Sequence, residues 1–310
     1  MYSLNLESKL ETKTKHVPIL VNEVLETLDC RPGKNFLDLT LGGGGHTESI
    51  LKATAPDGRV VGCDRDEEAL ARTRIKLADY GERVRFVHRA ISDVEQTLPQ
   101  FADMEIHGAL IDAGISSDQL DSSSRGFSFQ RDADLDMRMD VSRGMTAREV
   151  LMNSNEEEIA NMIYEYGEDR NSRKIAKMIM EARRQDKLRT TQDLVEAVIK
   201  ANGPKRGPIH PATKTFQALR IRVNRELEEL TEGVTKLIAL LPAFARIAVI
   251  TFHSLEDRIV KNLFRDAVKR GDAVRITKKP IVPTREEQRA NARSRSAKLR
   301  VIEIVGVRGE

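Results

Sequence analysis

Two cysteines in 310 residues, Cys30 and Cys63, cannot build a disulfide framework or the paired spacing of a zinc site, and Cys63 is expected to pack inside a strand. A long apolar run is also missing. The most hydrophobic region, Leu237 to Phe252, is broken by Pro242 and Arg246, too early to span a bilayer. Met1 to Lys15 is polar and charged and lacks the apolar centre of a secretory signal. There is no internal repeat and no low-complexity tract. These absences exclude a secreted disulfide scaffold, a solenoid and a membrane-spanning protein, and the expected location is the cytoplasm.

What is present is an ordinary globular composition, 40% hydrophobic and 32% charged, long enough for one large domain or two smaller ones. The net charge of +3 is unevenly placed. Arg170 to Arg225 carries 15 Lys+Arg against 4 Asp+Glu, and Arg265 to Arg300 carries 12 against 4. The rest of the chain is therefore acidic by 16 charges. One basic block is usually a solvated helix face. Two blocks flanking an acidic remainder point to a polyanion, because phosphate contacts and counterion release supply most nucleic-acid affinity.

The rest is organised around Phe36 to His46, F-L-D-L-T-L-G-G-G-G-H. A short apolar run holding Asp38 and broken by four glycines predicts a buried strand turning sharply into a helix, with the loop Gly42 to Gly45 as a ligand cradle. A P-loop is excluded, since His46 and Thr47 stand where Lys and Ser/Thr are required. A second strand should end in an acid about 20 residues on, placed to bond both ribose hydroxyls of a nucleotide. Asp64 does so, 22 residues after Gly42. The order D-x-T-x-G-x-G resembles the first motif of S-adenosylmethionine-dependent methyltransferases more than a dinucleotide fingerprint.

Periodicity predicts a helix over His16 to Leu28, strand one, a helix over Thr47 to Ala53, strand two over Arg59 to Asp64 and a helix over Glu67 to Tyr80. Strand three follows over Arg83 to His88, a helix over Val94 to Phe101 and strand four over His107 to Asp112. Such alternation predicts a parallel, doubly wound α/β sheet with ligands at the carboxyl ends of its strands, where the glycine loop, Asp64 and Asp112 share one rim. Ala113 to Asp140 then reads as a long functional loop. Amphipathic helices are expected near Thr146 to Met152, Glu156 to Tyr166, Ser172 to Arg184 and Thr191 to Ala201, ended by the linker Gly203 to Pro208. One long helix, Ala212 to Leu240, leads to strand five at Arg246 to Phe252. A helix over Leu255 to Val268 and strands near Ala273 to Thr277 and Leu299 to Val305 complete the sheet.

Eight motifs stand in order: His16-Val-Pro-Ile-Leu, Leu41 to His46, Asp112-Ala-Gly-Ile-Ser-Ser-Asp-Gln-Leu-Asp121, Arg125-Gly-Phe-Ser-Phe129, Leu135-Asp-Met-Arg-Met-Asp140, His210 to Arg220, Phe252-His-Ser-Leu-Glu-Asp-Arg258 and Arg293 to Arg300. Together they closely resemble the bacterial small-subunit ribosomal RNA cytosine-N4 methyltransferases, the MraW/RsmH family, from about His16 to Val305. The resemblance implies a class I, Rossmann-like methyltransferase sheet formed by residues 1–124 and 213–310, with 125–212 an inserted all-helical substrate-recognition domain. It implies S-adenosyl-L-methionine as methyl donor and, as acceptor, N4 of a cytidine in the decoding centre of 16S rRNA in the small ribosomal subunit, cytosine 1402. It also implies cofactor contacts at Gly44, Gly45, His46, Asp64, Ile91, Asp112 and Gln119, to which the cradle reading adds Gly42. Ile91 stands where relatives commonly carry Phe.

Cytosine N4 is a weak nucleophile, its lone pair delocalised into the ring. An enzyme helps by accepting the N4–H bonds and aligning the lone pair with the methyl group. Asp112 is the candidate acceptor. The Pro-Pro-aromatic that follows it in many amino-methyltransferases is absent, so a stacking ring must come from Phe127, Phe129 or Phe252. His253, after strand five, is the second catalytic candidate, as base or as a group that holds the substrate. His46 has no His or Cys neighbour at ligand spacing, and no metal is expected. Two other classes stay open at this point. A non-catalytic RNA-binding assembly factor would share every motif except turnover, and a nicotinamide-dependent oxidoreductase would share the sheet and Asp64. Oligomeric state is also open, a homodimer included.

Overall fold

The protein is described here by a computed structural model covering residues 18–115, 119–120, 125–203 and 210–306. The linker expected at Gly203 to Pro208 falls, after Gly203, outside the described residues, as does the start of the His16 motif.

The elements run in chain order α1 Val21–Thr27, β1 Phe36–Asp38, α2 Gly45–Ala53, β2 Val60–Asp64, α3 Glu67–Lys76, β3 Val84–His88, α4 Val94–Thr97 and β4 Gly108–Asp112. Then come α5 Ala147–Asn153, α6 Glu156–Gly167, α7 Ser172–Arg184, α8 Thr191–Asn202, α9 Thr213–Asn224, α10 Glu226–Leu240, β5 Arg246–Thr251, α11 Ser254–Arg270, β6 Ala273–Arg275, α12 Arg285–Ala290 and β7 Lys298–Ile304. The strands form one seven-stranded sheet in the order β3-β2-β1-β4-β5-β7-β6. Pairings from β3 to β5 are parallel, whereas β7 runs antiparallel to both β5 and β6. The four alternating strands β1 to β4 pair in parallel as expected, and the sheet as a whole is mixed. The alternation rule constrains strands joined by crossover helices, and β6 and β7 are joined mainly by irregular chain.

The strands read as unbroken apolar runs because both sheet faces are covered. Leu37, Val61, Ile111 and Val249 face a core with Leu230, Val234 and Leu237 of α10 and Val260 and Phe264 of α11. Their neighbours Phe36, Val60, Leu110 and Ile250 face the other side, against Val24 of α1 and Ile50 and Leu51 of α2. The period of two in side-chain direction thus divides each strand between two cores. Cys63 is fully buried in the first, as its strand position predicts.

A third apolar cluster belongs to the helices. It gathers Phe127, Leu135 and Met137 with Ile159, Ile163, Ile175, Ile179, Leu194 and Val198, and extends to Phe216 and Leu219 of α9. Several of these helices are set by local chemistry: Thr146, Asn155 and Thr190 each cap a helix start as a reciprocal capping box with an acid three residues on. The helix expected over Ala212 to Leu240 is two helices. Arg225 sits in the left-handed region at φ 50° and breaks it. No glycine or proline marks the break. It is held by tertiary bonds: Asn224 Nδ2 donates to the Met137 carbonyl at 2.7 Å and Asn224 Oδ1 accepts from Met139 N at 2.7 Å. The expected helices over Glu67 to Tyr80 and Val94 to Phe101 also shorten, each passing into a 3₁₀ turn. Among the described residues no helix is long and apolar enough to cross a membrane.

Candidate active site

A cavity of about 490 Å³ opens at the carboxyl ends of β1, β2, β4 and β5, within the range of small-molecule sites. Of the sequence candidates, Gly42, Gly45, His46, Asp64, Ile91, Asp112, Gln119 and His253 all line it. Gly44 does not, and Gly43 takes its place on the wall. Gly44 caps α2 at φ 69°, and a Cβ added there would lie 2.5 Å from Thr73 Cγ2. Its contribution is the turn, which only glycine makes without strain.

Asp64 ends β2 and holds the loop in place. Its Oδ2 accepts from Gly42 N at 2.7 Å and its Oδ1 from Asp66 N at 2.8 Å. Burial pushes its carboxyl up to about 6 against the pull of those backbone bonds. Each oxygen keeps further lone pairs for a pair of hydroxyls. Opposite, Ile91 presents its side chain to the cavity, and the backbone of α10 presses on it at Gly233.

Three polar groups come together here, His46 and Asp112 on the cavity wall and Asp38 near them. Asp38 accepts from Thr47 Oγ1 at 2.6 Å, and burial holds its carboxyl above the usual range. Asp112 at the end of β4 receives no hydrogen bond at Oδ1 from the described residues, although that atom is buried. Its Oδ2 lies 3.5 Å from His46 Nε2. His46 is 6% exposed, and neither ring nitrogen has a hydrogen-bond partner among the described residues.

The other wall is a charged group, its two acids buried, that sequence reasoning missed. Arg220 closes on both oxygens of Glu226 at 2.7 and 2.8 Å. These two residues flank the Arg225 break, so treating the segment as one helix hid their pairing. Glu256 is 1% exposed. Burial raises its carboxyl, but the bond to His253 and the charge of Arg220 outweigh this and hold it below the usual range. His253 is the N-cap of α11: its Nδ1 accepts from Glu256 N at 3.4 Å, and its Nε2 lies 3.1 Å from Glu256 Oε1. One nitrogen is thus spent on the helix end and the other faces a carboxylate. Donor atoms of Glu226, His253 and Glu256 lie within 4.8 Å of one another, a candidate metal donor set that the sequence reading did not foresee. Both oxygens of Glu226 are taken by Arg220, so a protein cation already balances that acid.

The three candidate stacking rings differ. Phe127 is buried in the helical core. Phe129 stacks on His210 with centroids 4.6 Å apart and meets the edge of Phe216. All three line the cavity; Phe252 does so beside His253 and has no aromatic neighbour among the described residues.

The strand order, with its one antiparallel strand, and a glycine turn facing a strand-end acid define an S-adenosylmethionine-dependent class I methyltransferase. The residues present fit that cofactor: the cradle is open, Asp64 has acceptor capacity for two hydroxyls, and the cavity wall holds polar atoms with no partner among the described residues. The chain belongs to the MraW methylase family, whose profile matches residues 13–305. It is 47% identical over 306 residues to the ribosomal RNA small subunit methyltransferase H of Syntrophotalea carbinolica, covering 93% of this chain and 97% of that protein. It is 42% identical over 308 residues to the protein of the same name from Clostridioides difficile, covering 94% and 99%. Among solved structures, an rRNA methylase from Streptococcus thermophilus superposes with a TM-score of 0.44 at 10% identity, covering 94% of this chain and 99% of that one.

Proposed function

We propose that this protein methylates the exocyclic N4 of a cytidine in 16S rRNA of the small ribosomal subunit, cytosine 1402 by family resemblance, acting in the cytoplasm. The observation that carries the reading is Oδ1 of Asp112, a buried acceptor with no partner among the described residues, beside the glycine cradle. An exocyclic amino group whose lone pair is delocalised into its ring needs such an acceptor, the family resemblance makes that group cytosine N4, and the chain's full-length relatives bear the name of small-subunit ribosomal RNA methyltransferases. Bound S-adenosylmethionine supplies an electrophilic sulfonium methyl. Gly42, Gly45, Ile91 and Gln119 shape its bed, and Asp64 accepts from the ribose. Asp112 accepts one N4–H, turning the N4 lone pair toward the methyl group. On methyl transfer N4 would shed its proton toward that carboxylate. Phe252 is the ring we assign to the face of the target base.

The target must be unpaired or flipped to enter, because N4 inside a packed helix is out of reach of a buried methyl group. We assign segment 125–212 to holding the flanking RNA, with exposed cations such as Lys174 and Lys177 toward phosphate.

The deciding experiment is single-turnover methyl transfer at saturating S-adenosylmethionine on small subunits lacking the modification. Asp112→Asn keeps one acceptor oxygen and loses the charge, so the rate is expected to fall by roughly 10²- to 10³-fold, the range for removal of one preorganised electrostatic group. A wild-type rate would move N4 orientation to another residue, with His253 next in line. An unmodified N4 after turnover with wild-type enzyme, read by nucleoside mass spectrometry, would remove the base assignment itself.

A further inference from the structure

His46 is placed as if it served Asp112. It lies at the start of α2, yet neither ring nitrogen makes a hydrogen bond with the described residues, so it does not cap the helix. The imidazole is buried. A buried imidazole without partners is costly, because its polar atoms give up water and gain nothing. What faces it is carboxylate from three elements: Asp112 from β4, Asp38 from β1 and Glu287 from α12. Burial pulls the imidazole toward the neutral form, but Asp112, then Asp38 and Glu287, outweigh it and hold its pKa above the ordinary histidine range.

The Asp112 carboxylate is unequal in its two oxygens. Oδ2 is 3.5 Å from His46 Nε2, while Oδ1 is buried with no hydrogen-bond partner among the described residues. Asp38 and Asp112 both bear on this imidazole. Asp38 already sits above the usual range.

We propose that His46 is a positioning residue: as imidazolium it holds Oδ2 of Asp112 and leaves Oδ1 aimed at the substrate amino group. This rests on the reading of Asp112 as the N4 acceptor and adds a group that this acceptor depends on. It separates His46 from a residue that only touches the cofactor. A cofactor contact changes affinity alone, whereas a charged group that orients Asp112 changes the methyl-transfer step and its pH dependence.

The sign follows from the charge required. The active form needs protonated His46, so activity is present below the raised imidazole pKa and falls as pH rises through it. In single-turnover reactions at saturating S-adenosylmethionine and RNA, the wild-type rate is expected to fall on that alkaline side. His46→Gln keeps a side-chain N–H donor without a titrating charge. Its rate at neutral pH is expected to drop roughly tenfold to hundredfold, as when an orienting partner of a functional ligand is removed, and its profile to lose the alkaline fall. A variant with weaker cofactor affinity but a wild-type rate at saturation, or one that keeps the alkaline fall, overturns the proposal. Titration of ligand-free protein labelled with ¹⁵N-histidine gives a readout independent of turnover. The His46 signal is expected to titrate above the free-histidine range and to drop toward it in Asp112→Asn. An unmoved His46 titration in Asp112→Asn overturns the pairing. If instead the titration moves but Asp112→Asn transfers methyl at the wild-type rate, the assignment of Asp112 to N4 fails while the pairing stands.

Discussion

Arg125 closes a fork on Asp66 from 59 residues away, with Nη1 at 2.7 Å from Oδ2 and Nη2 at 3.1 Å from Oδ1. Asp66 is 1% exposed and also caps α3 and accepts from Gln119 Nε2 at 2.9 Å. One carboxylate thus ties the strand end that carries Asp64 to the segment that follows β4. Arg125→Ala would leave a buried charge with neutral donors only. The expected loss is about 3 to 5 kcal/mol of unfolding free energy, the cost of breaking a buried pair from one side. Urea denaturation checks it, and a loss below about 1 kcal/mol, the level of a surface pair, would show that the fork carries little.

Asp64 should make cofactor binding sensitive to acid. Its carboxyl sits at about 6, and hydroxyls donate to the ionised form. Affinity for S-adenosylmethionine is therefore expected to be full near pH 8 and to fall by about tenfold for each pH unit below the folded value. The stability sign is opposite: the folded pKa lies above the ordinary carboxylate value, so this group's contribution to ligand-free stability declines as pH rises through that interval. Calorimetric titration of wild type and Asp64→Asn across this range checks the first point. A pH-independent affinity in wild type would take Asp64 out of the ribose site.

Gly233 is the close approach that sets Ile91. A Cβ there would stand 2.5 Å from Ile91 Cγ2 and 2.7 Å from its carbonyl oxygen, so Gly233→Ala must push α10 or the Ile91 segment outward. Overpacking of this kind costs about 1 to 3 kcal/mol. Both a lower melting temperature and weaker S-adenosylmethionine binding are expected. Melting that falls while binding holds would mean that α10 yields and the cavity wall does not.

The basic side chains of α7 divide between two roles. Arg183 donates through Nη1 to the carbonyls of Leu151, Met152 and Ser154, which satisfies the end of α5. Lys174 and Lys177 are exposed on the same helix. Lys174→Glu with Lys177→Glu is expected to weaken RNA binding and to reduce the salt slope by about 1 for each phosphate that is no longer neutralised. Arg183→Ala is expected to lower stability and leave that slope in place. Fluorescence anisotropy across a salt series distinguishes the two, and an unchanged slope in the lysine variant would mean those lysines only solvate the helix.

The strands and the cradle were legible because they depend on local chemistry. Phe36 to Asp38 must be buried on both faces, the four glycines must turn, and Asp64 falls at the spacing that a strand end requires. The helices that Thr146, Asn155 and Thr190 cap were legible from their amphipathic periodicity in the same local way. Other features were decided only by the folded chain. The break at Arg225 carries no glycine or proline and exists because Asn224 finds the backbone of Met137 and Met139. The reversal of β7 is a choice of pairing partner, to which a seven-residue apolar alternation is indifferent. The quartet of Arg220, Glu226, His253 and Glu256, its two acids buried, joins two regions whose charges look solvated in one dimension. His46 and Asp112, both singled out in the sequence, acquire their relation only when β4 is laid beside β1. Residue types and spacings specify which groups a strand end offers; which of those groups share a proton or a charge is set by distance and burial, and these belong to the tertiary structure.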